Sequence, residues 1–146
     1  MPAIEPDCPL CAVLETRPAG WVTELAASAL IVDPVQRYPG KATVIARRHL
    51  IASAMLDEAD DALLALHADV LRAARAVRAV TGAARVNLAL FANLAPHVHW
   101  HLVPRFDDGD RAAPDLAPHP DVMAGAAVLD GLAARLRAAL QGAETV

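Results

Sequence analysis

Three histidines alternate with apolar residues in the stretch Pro96-His97-Val98-His99-Trp100-His101-Leu102-Val103-Pro104-Arg105. In an extended strand, successive side chains point to opposite faces. His97, His99 and His101 would then line one face, with Val98, Trp100 and Leu102 on the other, packed on a core. Imidazole titrates near neutrality, attacks electrophiles, carries protons and binds metals. A row of three is costly to bury, which marks this strand as a place for chemistry. Near the start of the chain stand two thiols, in Asp7-Cys8-Pro9-Leu10-Cys11. At this spacing they can grip one metal ion, form a redox pair, or simply be two small buried apolar residues. If the metal is zinc, two more ligands are needed, and His49 with one triad histidine would complete a Cys2His2 set. A complete tetrahedral set of that kind is structural and leaves two triad histidines for other work. Alternatively, His97, His99 and His101 converge on an ion by themselves and leave an open position that activates water. The redox reading is the weaker one. A thioredoxin-like pair follows a strand and opens a helix, whereas these cysteines begin the chain.

Cationic residues lie close to these groups in sequence: Lys41, Arg47, Arg48 and Arg105. A negatively charged substrate suits them, although adjacent arginines at a strand end are equally at home on a solvated rim. The chain has no Walker-type loop and no dinucleotide-binding glycine fingerprint. A histidine that attacks phosphorus needs neither. It needs a neutral imidazole, held in one tautomer by a partner on its other nitrogen, and donors around the developing charge. A second histidine two residues along the same strand face is placed to supply one.

The remaining elements must position these groups. Trp21 to Leu25, Ala29 to Asp33 and Lys41 to Ala46 read as strands, and Pro34, Pro39 and Gly40 mark a loop between the last two. Ala26 to Ser28 would join the first pair, without the Gly or Asn that makes a hairpin firm. Leu56, Ala59, Leu63, Leu66, Val70, Ala73, Val77 and Val80 recur three and four apart, one face of a long helix. Asp57 is placed to cap it, and Thr81-Gly82 stops it. His67 falls on its polar side. Arg85 to Ala92 is a further strand, and the short link Asn93-Leu94-Ala95-Pro96 makes it an antiparallel neighbour of the histidine strand. Phe106 to Pro120 is loop, with His119 exposed in it. Asp121 would cap a last helix that runs to about Leu140, with Leu129, Leu132, Leu136 and Leu140 as its stripe and Gly125 and Gly131 weakening it.

With 146 residues, 55% hydrophobic and 21% charged, the chain is sized for one globular domain with a real core. A net charge of -4 argues against bulk electrostatic binding to nucleic acid or an acidic membrane. Two cysteines do not make a secreted disulfide scaffold, Met1 to Asp7 does not read as a signal peptide, and no apolar run is long enough to span a membrane. These features point to the cytoplasm.

The motif His-x-His-x-His, followed by two apolar residues and Pro-Arg, resembles the signature of the histidine-triad family of nucleotide hydrolases and transferases. The Cys-Pro-Leu-Cys start, Asp33-Pro34 leading to Pro39-Gly40, and Val44-Ile45-Ala46-Arg47-Arg48-His49 are similar to its bacterial zinc-containing kind. The resemblance covers Cys8 to Arg105. It implies an α+β fold around an antiparallel sheet, and the elements read above agree with it: about five strands and one long central helix, to which the chain adds a C-terminal helical extension at about 121–141. It implies a homodimer. It also implies that His99 attacks the α-phosphorus of a nucleotide or nucleotide conjugate to form a covalent nucleotidyl-histidine, which water then cleaves to a nucleoside monophosphate. His101 would contact the phosphate or leaving group. Asp33 would bind the ribose hydroxyls and Asn93 would lie near the phosphate, although either could instead simply initiate a turn. Structural zinc would sit on Cys8, Cys11, His49 and His97, with no organic cofactor. Three positions depart from the family pattern. Lys41 stands where many members have histidine, Asn93-Leu94-Ala95-Pro96 replaces a longer Gly-Gln-Ser/Thr loop, and the C-terminal helix stands where some relatives end in a short tail.

Overall fold

The computed structural model describes residues 4–109, 111–117 and 122–144. Its elements are α1 (Pro9–Thr16), β1 (Trp21–Glu24), β2 (Ser28–Val32), β3 (Ala42–Ala46), α2 (Ala52–Met55), α3 (Asp60–Thr81), β4 (Arg85–Ala89), β5 (His99–Arg105) and α4 (Ala126–Glu144). The five strands form one antiparallel sheet in the order β1-β2-β3-β5-β4. The fold is the α+β arrangement expected: five antiparallel strands, a long central helix and a C-terminal helix.

The alternation read along the histidine strand sets the two faces of the sheet. Val44 pairs with Trp100 and Ala42 with Leu102 across β3 and β5, while Ile45 pairs with His99 and Thr43 with His101. Val44, Trp100 and Leu102 join Leu30, Val32, Val70, Ala73 and Val77 in the core. Burying each large aliphatic side chain there is worth about 1.5–3 kcal/mol. Leu129, Leu136 and Leu140 of α4 enter the same core, so the C-terminal helix packs as part of the domain. Polar ties fix its position: Asp130 accepts from the Gly20 amide at 2.9 Å, and Arg137 donates to the Val22 carbonyl at 2.9 Å.

Several local expectations are corrected. The long helix begins at Asp60 with Ala59 in the cap position, and Asp57 does not cap it. Residues 52–55 form the separate short helix α2, started by the Ala52 amide on the Pro96 carbonyl at 2.8 Å. Leu56 is 82% exposed and lies off the core stripe. Asp60 and Asp61 in the first turn complement the helix dipole instead, and Gly82, at φ 70°, ends the helix as expected. The β1–β2 turn needs no Gly or Asn because α3 holds it. The buried carboxylate of Asp69 accepts from the Ala27 amide and the Ser28 hydroxyl, both at 2.8 Å. Finally, Cys8 does open a helix: it is the N-cap of α1, its sulfur accepting from the Cys11 amide, with Pro9 in the first turn. The expected cap Asp121 and the loop residue His119 lie outside the described residues.

Candidate functional site

Three short pieces of chain bring four ligand-type side chains together at one end of the sheet. After β3 the chain runs alongside the start of the histidine strand, with the Val98 amide on the Leu50 carbonyl at 2.7 Å and an isolated bridge between Ile51 and His97. This places the His49 and His97 rings 5.1 Å apart. The first turn of α1 delivers the two sulfurs. Cys8 Sγ lies 3.4 Å and Cys11 Sγ 3.6 Å from His97 Nδ1, and Cys11 Sγ lies 3.3 Å from His49 Nδ1. All four ligand atoms fall within 4.8 Å of one another. Sulfur and nitrogen bound tetrahedrally to zinc at ordinary bond lengths sit about 3.5 Å apart, and these three sulfur–nitrogen distances already match such an edge. His97 is fully buried and its Nε2 donates to the Ala46 carbonyl at 2.7 Å. That bond fixes the tautomer and turns the Nδ1 lone pair toward the sulfurs, the usual support behind a metal-bound histidine. Burial foremost lowers the His97 pKa from its ordinary value, favouring the neutral ring a metal requires. Burial also pushes the Cys11 thiol up, a preference that a bound cation reverses.

Two residues further on, the same strand presents His99, 8% exposed. Its Nδ1 lies 2.7 Å from the backbone carbonyl of His97. A carbonyl only accepts, so Nδ1 carries a proton, and in the neutral ring the lone pair is on Nε2. His101 follows, its ring centroid 5.0 Å from that of His99. Its pKa is lowered to about 4, by burial first and then by the nearby charges of Lys41 and His99, with Asp33 opposing. His101 is therefore an uncharged imidazole at neutral pH.

A pocket of about 140 Å³ opens beside His101, lined also by Asp33, Arg37, Tyr38, Lys41 and Asp115. Asp33 is committed on both oxygens. Oδ1 accepts from the Val35 amide at 2.8 Å, and Oδ2 accepts from Lys41 Nζ at 2.7 Å and Thr43 Oγ1 at 3.3 Å. The segment after β5 closes the far side, with the Asp115 amide donating to the Tyr38 hydroxyl at 2.7 Å and Arg37 paired with Asp115 at 3.3 Å. Two larger cavities, of about 630 and 400 Å³, contain none of the triad histidines.

No family model and no curated protein matches the chain by sequence. Solved structures do match. A zinc-bound histidine triad family protein from Mycobacterium smegmatis is 25% identical, with a TM-score of 0.71 over 95% of this chain and 96% of that one. A hypothetical histidine triad nucleotide-binding protein from Sulfolobus tokodaii superposes with a TM-score of 0.75 at 20% identity, covering 94% of both chains. A Hit-like protein from Bartonella henselae, described as involved in cell-cycle regulation, gives 0.74 at 20% identity over 94% and 98%. This chain has the histidine-triad fold. Its Cys/His cluster is of the kind a zinc-binding histidine-triad protein would carry.

Within this fold the sequence-derived candidates divide into three groups. Cys8, Cys11, His49 and His97 converge on one point, and His99 and His101 stand side by side next to it. Asp33 reaches the same face through its pocket with His101. Asn93 is exposed in the link before the histidine strand. The arginines expected to attract phosphate are otherwise engaged. Arg48 pairs with Glu58, Arg47 donates to the Leu25 carbonyl, and Arg105 donates to Asn87 and to the Ala112 carbonyl. Tyr38, Arg37 and Asp115 escaped sequence reading because they meet only through a contact between residues 77 apart. No short-range pattern signals such a contact.

Proposed function

We propose that this histidine-triad protein hydrolyses or transfers at the α-phosphorus of a nucleotide conjugate, such as a phosphoramidate or a dinucleoside polyphosphate. The observation that carries this reading is the bond from His99 Nδ1 to the His97 carbonyl. It leaves Nε2 as the nucleophile, with a partner that steadies the ring as positive charge develops. Nε2 attacks the phosphorus, the bond to the leaving group breaks, and a nucleotidyl-histidine forms. Water then cleaves the phosphorus–nitrogen bond, giving a nucleoside monophosphate and restoring the imidazole. Neutral His101 hydrogen-bonds to the phosphate or leaving group, and Asp33 takes a ribose hydroxyl. Zinc on Cys8, Cys11, His49 and His97 is structural, since four protein ligands leave no open position for substrate. The zinc-bound protein from Mycobacterium smegmatis supports zinc as the ion. We further propose a homodimer, formed at the exposed edge strand β4. Leu88 is 44% exposed there and lines a shallow pocket with Leu71 of α3. A cytoplasmic location suits the free thiols, and no described helix is long and apolar enough to cross a membrane.

The test uses purified wild type and His99→Ala with adenosine phosphoramidate and a diadenosine polyphosphate. AMP released by the wild type, at least about 10³-fold slower from the variant and unaffected by a brief chelator treatment, is the expected result. A second reading, a zinc-containing nucleotide-binding module with little turnover, draws on the short link that holds Asn93, which is exposed and replaces a longer Gly-Gln-Ser/Thr loop. It predicts nucleotide binding with no AMP from either protein.

A further inference from the structure

The small pocket beside His101 is bordered by one buried polar atom without a partner and one buried ammonium with donors to spare. Lys41 is 5% exposed, and among the described residues its ammonium bonds only to Asp33 Oδ2. Two of its three N–H donors therefore have no acceptor among the described residues. His101 Nδ1 is buried and has no hydrogen-bond partner among the described residues. Buried groups of this kind are rare in folded proteins, and two on one pocket imply a polar occupant.

The charges specify what kind. Asp33 pairs with Lys41 and Arg37 with Asp115, so the four ionic groups around the pocket cancel. A second phosphate would bring an uncompensated charge. A neutral polyol would not, and a hydroxyl is both donor and acceptor. Size agrees. About 140 Å³ is below the range of roughly 300–1,000 Å³ for sites that enclose a whole small molecule, so the pocket takes only part of one. Asp33 has little accepting capacity left, because Oδ2 already takes two bonds and Oδ1 one.

We propose that Lys41 is the specificity-determining residue of a sugar subsite, donating to one hydroxyl of a vicinal diol while Asp33 accepts from the other. This rests on the nucleotide reading above and adds to it the residue that makes the sugar hydroxyls a requirement. Removing the diol then strands the ammonium, and the penalty should be large.

Titration calorimetry on the full chain tests this with three ligands: AMP, its 2′,3′-dideoxy analogue and adenosine 3′,5′-bisphosphate. Wild type is expected to bind AMP about tenfold or more tighter than the dideoxy analogue. Lys41→Met should narrow that ratio to about threefold or less, and Lys41→Gln, which keeps an N–H donor, should fall between. The glutamine variant also decides the matter if the methionine variant, with Asp33 left unpaired, does not fold. A full tenfold ratio in folded Lys41 variants overturns the proposal and leaves the functional reading intact. Tighter binding of the bisphosphate than of AMP by wild type overturns the diol in favour of an anion subsite. No affinity for any of the three overturns the functional reading and the proposal with it.

Discussion

His101 spends its working range uncharged, and stability should register this. Its pKa in the folded chain is about 4, below the ordinary 6.5, so on acidification the unfolded chain takes up the proton first. The contribution of neutral His101 is complete above about pH 6.5 and is lost as pH falls toward about 4. The groups facing it are Lys41, His99 and Asp33. Urea unfolding at about pH 7.5 and about pH 5 should show wild type losing about 1 kcal/mol more than His101→Gln over that interval. An equal loss in both proteins would contradict the assignment. Cys8 gives a second test at this scale. It is both helix cap and candidate ligand, and serine caps at least as well as cysteine. Cys8→Ser therefore removes the thiolate while keeping the cap. Metal content measured by atomic absorption should drop sharply, and the melting temperature should fall by several degrees. Retention of metal by Cys8→Ser would instead place the ion on the triad histidines alone.

The loop from Asp33 to Lys41 shows how much depends on how the elements meet. Gly40 has φ +89°, and a Cβ there would overlap Thr81 Cγ2 at the end of α3. Gly40→Ala should cost more than about 1 kcal/mol in chemical denaturation, through both backbone strain and the clash. It should also disturb Lys41, the next residue. At this scale the sequence was legible wherever one period dominated. The stripe along α3, the leucines of α4 and the alternation of β5 all stand in the structure. It was not legible where a distant partner decides. The β1–β2 turn is held by Asp69 of α3, and α2 starts on the Pro96 carbonyl. The helix α1 has only eight residues, too short for a convincing apolar period, and its clearest signal, a cysteine serving as N-cap, is an unusual one.

Across the whole molecule, one face of the sheet carries the core and the other presents His99 and His101 of β5 with the small pocket beside them, while the Cys/His cluster lies at the end where β5 begins. The cluster and the triad were readable from residue types, because thiols and imidazoles have few structural uses in such groupings. The pocket was not, because it forms only when the segment after β5 returns to Tyr38 and Arg37. The free edge of β4 bears on assembly. Exposed strand edges are rarely left unpaired, and Leu88 lies on this one. Sedimentation equilibrium should find wild type dimeric and Leu88→Lys predominantly monomeric. A monomeric wild type would remove the dimer from the account.

Catalysis by His99 requires a covalent bond from its imidazole to phosphorus. The most direct measurement is mass spectrometry of the protein quenched during turnover of adenosine phosphoramidate, followed by peptide mapping under conditions that spare phosphorus–nitrogen bonds. An adenylyl group is expected on the peptide that contains His99, formed and discharged at the rate of AMP release and absent in His99→Ala. AMP release that continues undiminished in His99→Ala, with no adduct on the wild type, would contradict it.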